Sequence, residues 1–140
     1  MARSSDIDSI DAIIHAMYEV ISGPADEARD WERFRSLYYP GARLVPVVAA
    51  EGQTARARVL SPEEYIRRVE PIFATESFYE RETRREGETI GRVAHVLSYY
   101  ESFHEPDGAP FDAGVNSVQL VHDGSRWWIL SVVWNSPRKE

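Results

Sequence analysis

Cysteine is absent from the 140-residue sequence, and lysine nearly so: of 16 basic residues only Lys139 is not arginine. Without cysteine there is no disulfide framework, no thiolate metal site and no thiol nucleophile. Schiff-base chemistry has no candidate but Lys139. Positive charge is also in deficit, 16 basic against 23 acidic residues for a formal net charge of −7. That balance excludes a nucleic-acid or anionic-membrane surface as the expected partner. Long apolar runs are missing too: nothing approaches the roughly 20 residues of a membrane span. The first residues turn acidic at once, without the apolar run of a signal peptide. A single domain over residues 1–140, in the cytoplasm, is the expectation. A chain of this length buries about two-thirds of its unfolded surface and needs no staples.

Aromatic residues are plentiful: 4 Trp, 7 Tyr and 5 Phe. The first half of the chain follows a helical period. Ile7, Ile10, Ile14, Met17 and Ile21 form one stripe and predict a helix over 6–21, stopped by Ser22-Gly23-Pro24. Asp30 caps a shorter helix whose apolar side is Trp31, Phe34, Leu37 and Tyr38. Tyr39-Pro40-Gly41 turns the chain into a β-rich run at 42–48, where Pro46 demands a sheet edge or a bulge. Ser61-Pro62-Glu63-Glu64 combines a capping serine, a first-turn proline and the glutamate of a capping box. It opens a third helix with Tyr65, Ile66, Val69, Ile72 and Phe73 on its apolar side.

From Ser77 onward the period changes to two. Strands are predicted over 78–90, 93–103, 114–122 and 126–134, joined by turns at Gly91, at Pro106-Asp107-Gly108 and at Asp123-Gly124. Helix–helix–strand–helix followed by a four-stranded meander is an α+β arrangement. If Asp123-Gly124 is a two-residue turn, His122 pairs with Ser125. One sheet face then carries Leu120, Val118, Ile129 and, further on, Asn116 beside Ser131. That face is apolar near the turn and polar beyond it, which suits either a cavity or a simple Asn116–Ser131 hydrogen bond. The other face carries Trp128, Leu130, Val132 and Trp134 and needs cover, which predicts a homodimer through the outer sheet face.

Two segments carry a family likeness. Residues 30–44, with Trp31, Phe34, Leu37, Pro40-Gly41 and Leu44, resemble the second helix and first strand of the nuclear transport factor 2-like superfamily. Residues 123–129, where Gly124 precedes Trp127-Trp128-Ile129, resemble its final hairpin. The resemblance is to the SnoaL-like, ketosteroid-isomerase-like bacterial branch. It implies a cone-shaped curved antiparallel sheet wrapped around N-terminal helices, with a hydrophobic pocket for an apolar small molecule and a homodimer. The fold hosts enzymes, binding modules and adaptors alike.

Isomerase-like members place a carboxylate base at the end of the first strand, with tyrosine among the oxyanion donors. Here that stretch reads Leu44-Val45-Pro46-Val47 and has no acid; Tyr18 could match the donor or simply be a core tyrosine. Dehydratase-like members pair histidine with aspartate. Of the four histidines, His95 lies mid-strand on a face with Tyr99 and Glu101. If that face is concave, His95 and Tyr99 are the acid–base candidates for a lyase or isomerase. The opposite face (Ala94, Val96, Ser98, Tyr100) is equally able to look inward. Pocket-lining candidates are Tyr18, Phe34, Tyr65, Asn116 and Ser131. The run from Glu80 to Glu86 reads as a solvated strand of cross-strand ion pairs, the other option being an acid that reaches the pocket. No nucleotide-binding loop, nucleophile elbow or metal-ligand spacing is present, so no cofactor and no metal are expected. A non-enzymatic ligand-binding or interaction module is the rival reading.

Overall fold

The structure, a computed structural model, describes residues 3–136, so Lys139 lies outside the described residues. The predicted first helix is two: α1 (Ser4–Ile7) and α2 (Ile10–Glu19), separated at Ser9, whose hydroxyl accepts from the Ala12 amide and caps α2. Asp6 on α1 is buried and gripped by both arms of Arg33, which also reaches Glu19. This ion pair ties α1 and α2 to α3 (Trp31–Ser36), capped by Asp30 as the sequence predicts. The capping box of α4 (Pro62–Phe73) forms completely, Ser61 and Glu64 each satisfying the other's backbone amide.

Six strands make one mixed sheet in the order β2-β1-β6-β5-β4-β3. They are β1 (Tyr38–Val48), β2 (Arg56–Ala57), β3 (Tyr79–Ile90), β4 (Val93–Phe103), β5 (Asp112–His122) and β6 (Trp127–Asn135). The meander β3–β6 is antiparallel, but β1 runs parallel to β6, which corrects the expectation of a wholly antiparallel sheet. The carbonyl of Pro46 accepts from Arg58 on the β2 side of β1, so the amide that proline lacks faces this short outer pairing and not the ladder with β6. The curved, unclosed sheet and its helices form the cone-like α+β fold. Its core packs Ile13, Ile14 and Met17 of α2 and Phe34 of α3 against Val96, Val118, Leu120 and Ile129 of the sheet.

The last hairpin departs from its predicted register. Asp123 accepts hydrogen bonds from the Ser125 and Arg126 amides and from the Trp128 indole, organising a four-residue loop in place of a two-residue turn. His122 therefore pairs with Trp127. A bulge beyond Leu120–Ile129 then inserts one extra residue in β6, so Gln119 faces Ser131 and Asn116 faces Trp134. The slip reverses the face of every later residue. Ser131 turns outward, 3.5 Å from Gln119, while Val132 and Trp134 turn inward. Trp128 and Leu130 remain outside as predicted, joined there by Val133.

No helix among the described residues is long and apolar enough to cross a membrane.

Candidate functional site

The inner face of the sheet is set by β4. Ala94, Val96, Ser98, Tyr100 and Ser102 are buried, whereas Val93 and His95 are exposed. His95 and Tyr99 thus lie on the outer face and not the concave one, which removes the condition on which they were acid–base candidates. The His95 imidazole meets Ser117, and Tyr99 stacks under the Arg84 guanidinium at 3.8 Å.

Between this face and the helices lies a cavity of about 410 Å³, within the range of small-molecule pockets. Met17 and Tyr18 of α2 and Ile21 in the turn after it close one side, with Phe34 of α3 and Tyr65 and Phe73 of α4. Phe34 and Tyr65 stack at 5.5 Å, and Tyr65 meets Trp134 edge-on at 6.3 Å. Phe111, 45% exposed, lines the mouth and stacks on His104 at 3.9 Å. Tyr18, Phe34, Tyr65 and Asn116 line this cavity; Ser131 does not.

The polar side chains on the sheet face form three rows across β3, β4 and β5. Glu80, Ser102 and Asp112 are one row, Glu82, Tyr100 and Gly114 the next, and Arg85, Ser98 and Asn116 the third. Three charges thus point inward from β3, and two of them cancel. Arg85 grips Glu82 with both arms, at 2.8 and 3.0 Å, and also reaches Asp11. Glu80 has no such partner. It accepts one hydrogen bond from Ser102, at 2.9 Å, and otherwise meets apolar surroundings and the charge of Asp112. Burial, reinforced by Asp112, pushes its carboxyl up to about 7, with Ser102 opposing.

Tyr100 sits between the outer rows, leaning over β5 where Gly114 leaves room. A Cβ on Gly114 would lie 2.6 Å from the Tyr100 hydroxyl. No described residue hydrogen-bonds that hydroxyl, and no sealed side-chain oxygen lacks a partner among the described residues, so it opens to the cavity. Burial and the nearby charges of Glu80 and Asp112 raise its pKa and keep it a neutral donor.

Tyr18 is differently employed. Ser98 donates to the ion-paired Glu82 carboxylate at 2.5 Å, so its oxygen is left to accept from the Tyr18 hydroxyl at 2.7 Å. The tyrosine oxygen accepts in turn from the Asn116 amide at 3.1 Å. With its single proton spent on Ser98, Tyr18 has none to offer a ligand.

Among the described residues no three or more His, Asp or Glu side chains converge as metal ligands. Sequence reasoning gave Glu80 the solvated-strand reading and did not single out Tyr100, Ser102 or Asp112 as site residues. Period two puts Tyr100 and Ser102 on one face with Ala94 and Val96, but Val93 and Leu97 on the other face are as apolar, so the sequence leaves the inward face of β4 open. Glu80 follows only through a bulge at Thr83.

No family model matches the chain, and no curated protein matches it. Solved structures do. An NTF2-like protein of unknown function from Pseudomonas putida superposes with a TM-score of 0.64 at 13% identity, over 89% of this chain and 81% of that one. A candidate dehydratase of the NTF2-like family from Streptomyces avermitilis gives 0.64 at 16%, over 96% and 98%. An NTF2-like protein of unknown function from Silicibacter pomeroyi gives 0.59 at 17%, over 91% and 92%. At these identities the likeness is one of fold, the NTF2-like cone.

Proposed function

We propose that this chain, an NTF2-like cone by fold, binds an apolar small molecule in the 410 Å³ cavity and moves a proton on it, as an isomerase or lyase does. One observation carries the reading: a half-buried carboxyl at the wall of an aromatic cavity, with a pKa of about 7 and no ion pair to a cation among the described residues. Such a group is populated in both protonation states near neutrality, the condition under which one residue can take a proton and return it. Glu80 on β3 then fills the role of the carboxylate that the first strand lacks. As the C–H bond α to a substrate carbonyl breaks, the proton passes to Glu80 and the electron pair to the carbonyl oxygen. The Tyr100 hydroxyl donates a hydrogen bond to that oxygen. The resemblance of residues 30–44 and 123–129 to SnoaL-like sequences supports the same reading.

Exchange of the α-protons of 2-tetralone in D₂O tests it. The wild-type protein is expected to accelerate exchange over buffer, and Glu80→Gln to abolish the acceleration while still binding the ketone. Exchange no faster than in buffer, with binding intact, would leave the rival reading of a non-catalytic binding module, and equal acceleration in both proteins would remove Glu80 as the base.

The outer sheet face supports a homodimer. Leu130 and Val133 are 36% and 37% exposed beside Trp128. Sedimentation is expected to give a dimer at micromolar concentration that Leu130→Glu dissociates.

A further inference from the structure

The row of Arg85, Ser98 and Asn116 has a fixed hydrogen-bond polarity. The Glu82 carboxylate only accepts; Ser98 must donate to it; Tyr18 must donate to Ser98; and Asn116 must donate to Tyr18. The Asn116 atom against Tyr18 is therefore its amide nitrogen, and the carbonyl oxygen points the other way. Asn116 is 6% exposed and lines the cavity. No described residue donates to its carbonyl oxygen, and no sealed side-chain oxygen lacks a partner among the described residues. That oxygen is accordingly unsealed, on a residue that lines the cavity.

We propose that the Asn116 carbonyl reads the ligand: the molecule bound in the cavity carries a hydroxyl or N–H donor that ends on this oxygen. This rests on the reading of the cavity as a small-molecule site and adds the ligand's chemical class to it, an aromatic or alicyclic alcohol or phenol. The geometry also separates the two polar stations. Asn116 lies beside Ser98 and Glu80 beside Ser102. Four residues of strand, about 13 Å of backbone, divide those serines. A ligand hydrogen-bonded at Asn116 thus lies along the strand, past the Tyr100 hydroxyl, with its far part at Glu80 and Asp112. Arg85 and Asp11 act as positioning residues here, because they hold the Glu82 end of the relay and so the amide orientation.

Calorimetric titration of 4-phenylphenol against 4-methoxybiphenyl tests this. The two probes share the biphenyl frame and differ by one methyl on the oxygen, and only the phenol donates. The wild-type protein is expected to bind the phenol about tenfold more tightly, because the ether oxygen would confront a buried carbonyl left without a donor. Asn116→Leu should bring the ratio to about one with little change for the ether. Tyr18→Phe, which keeps the cavity shape but releases the amide, should give an intermediate ratio. Glu80→Gln should leave the ratio intact. In ¹³C spectra the Asn116 side-chain carbonyl should shift with the phenol and not with the ether. That readout needs no variant to fold. Equal affinity for the two probes, or a tenfold ratio that survives Asn116→Leu, overturns the inference while leaving the cavity reading in place. Binding of neither probe overturns both.

Discussion

Replacing Glu80 by glutamine removes one titration from the fold and little else. The side chain keeps its length, and its amide oxygen still accepts from Ser102, which donates at 2.9 Å. What disappears is a carboxyl whose pKa is about 7 in the folded chain against an ordinary 4.5. That displacement is equivalent to about 3 kcal/mol, since each tenfold change in the proton equilibrium is worth about 1.4 kcal/mol. Because Glu80 is only half-buried, solvent screening lowers this ceiling to about 2 kcal/mol.

The sign follows from which state holds the proton more tightly. Here the folded state does, so the favourable contribution is complete below pH 4.5. It falls as the pH rises and is gone once the pH has passed through 7. Urea unfolding of wild type and Glu80→Gln in parallel, at half-unit steps from pH 4.5 to 8.5, isolates this one group, because every other titration is common to both proteins. Glutamine is expected to become the more stable variant by about 2 kcal/mol over that range, relative to the difference at pH 4.5. A difference that stays flat within about 0.5 kcal/mol would mean that Glu80 is ionised at no cost. The acid–base assignment would fall with it.

Three further substitutions probe the surroundings. Ser102→Ala removes the one hydrogen bond that favours the Glu80 carboxylate, so the Glu80 midpoint in a ¹³C-carboxyl NMR titration should move above 7; a downward move would contradict the assignment. Gly114→Ala puts a Cβ 2.6 Å from the Tyr100 hydroxyl and should cost about 1–3 kcal/mol in urea unfolding, with displaced Tyr100 ring resonances. Arg29, 8% exposed, donates to the carbonyls of Ile21, Gly23, Pro24 and Glu27, and so closes the turn after α2. Arg29→Met leaves these acceptors to water or to nothing and should lower the unfolding free energy by about 2–4 kcal/mol.

What could be read from the sequence, and what could not, divides along one physical line. Caps and periods are local. The Ser61–Glu64 box, the Asp30 cap and the four-strand meander all reflect interactions within a few residues, and each stands in the fold where the residues place it. Faces are not local, because one inserted residue reverses everything beyond it. In β6 the bulge at Leu130 carried Ser131 out of the cavity and Trp134 into it. In β3 the bulge at Thr83 did the opposite service. A regular hairpin turned at Gly91-Arg92 would have set Arg81 across from Ser102, whereas the bulge sets Glu80 there. The candidate site therefore depends on a feature with no composition cue: Thr83 sits among Glu82, Arg84 and Arg85, and nothing in their types marks the slip. Its cause is tertiary. Arg85 faces inward beside Ser98 and meets Asp11 with or without the slip; the slip brings Glu82 in beside it to be neutralised, and Glu80 is the inward carboxyl left over. The same slip that sets one acid beside Arg85 strands the other, and the stranded acid is the one facing the cavity.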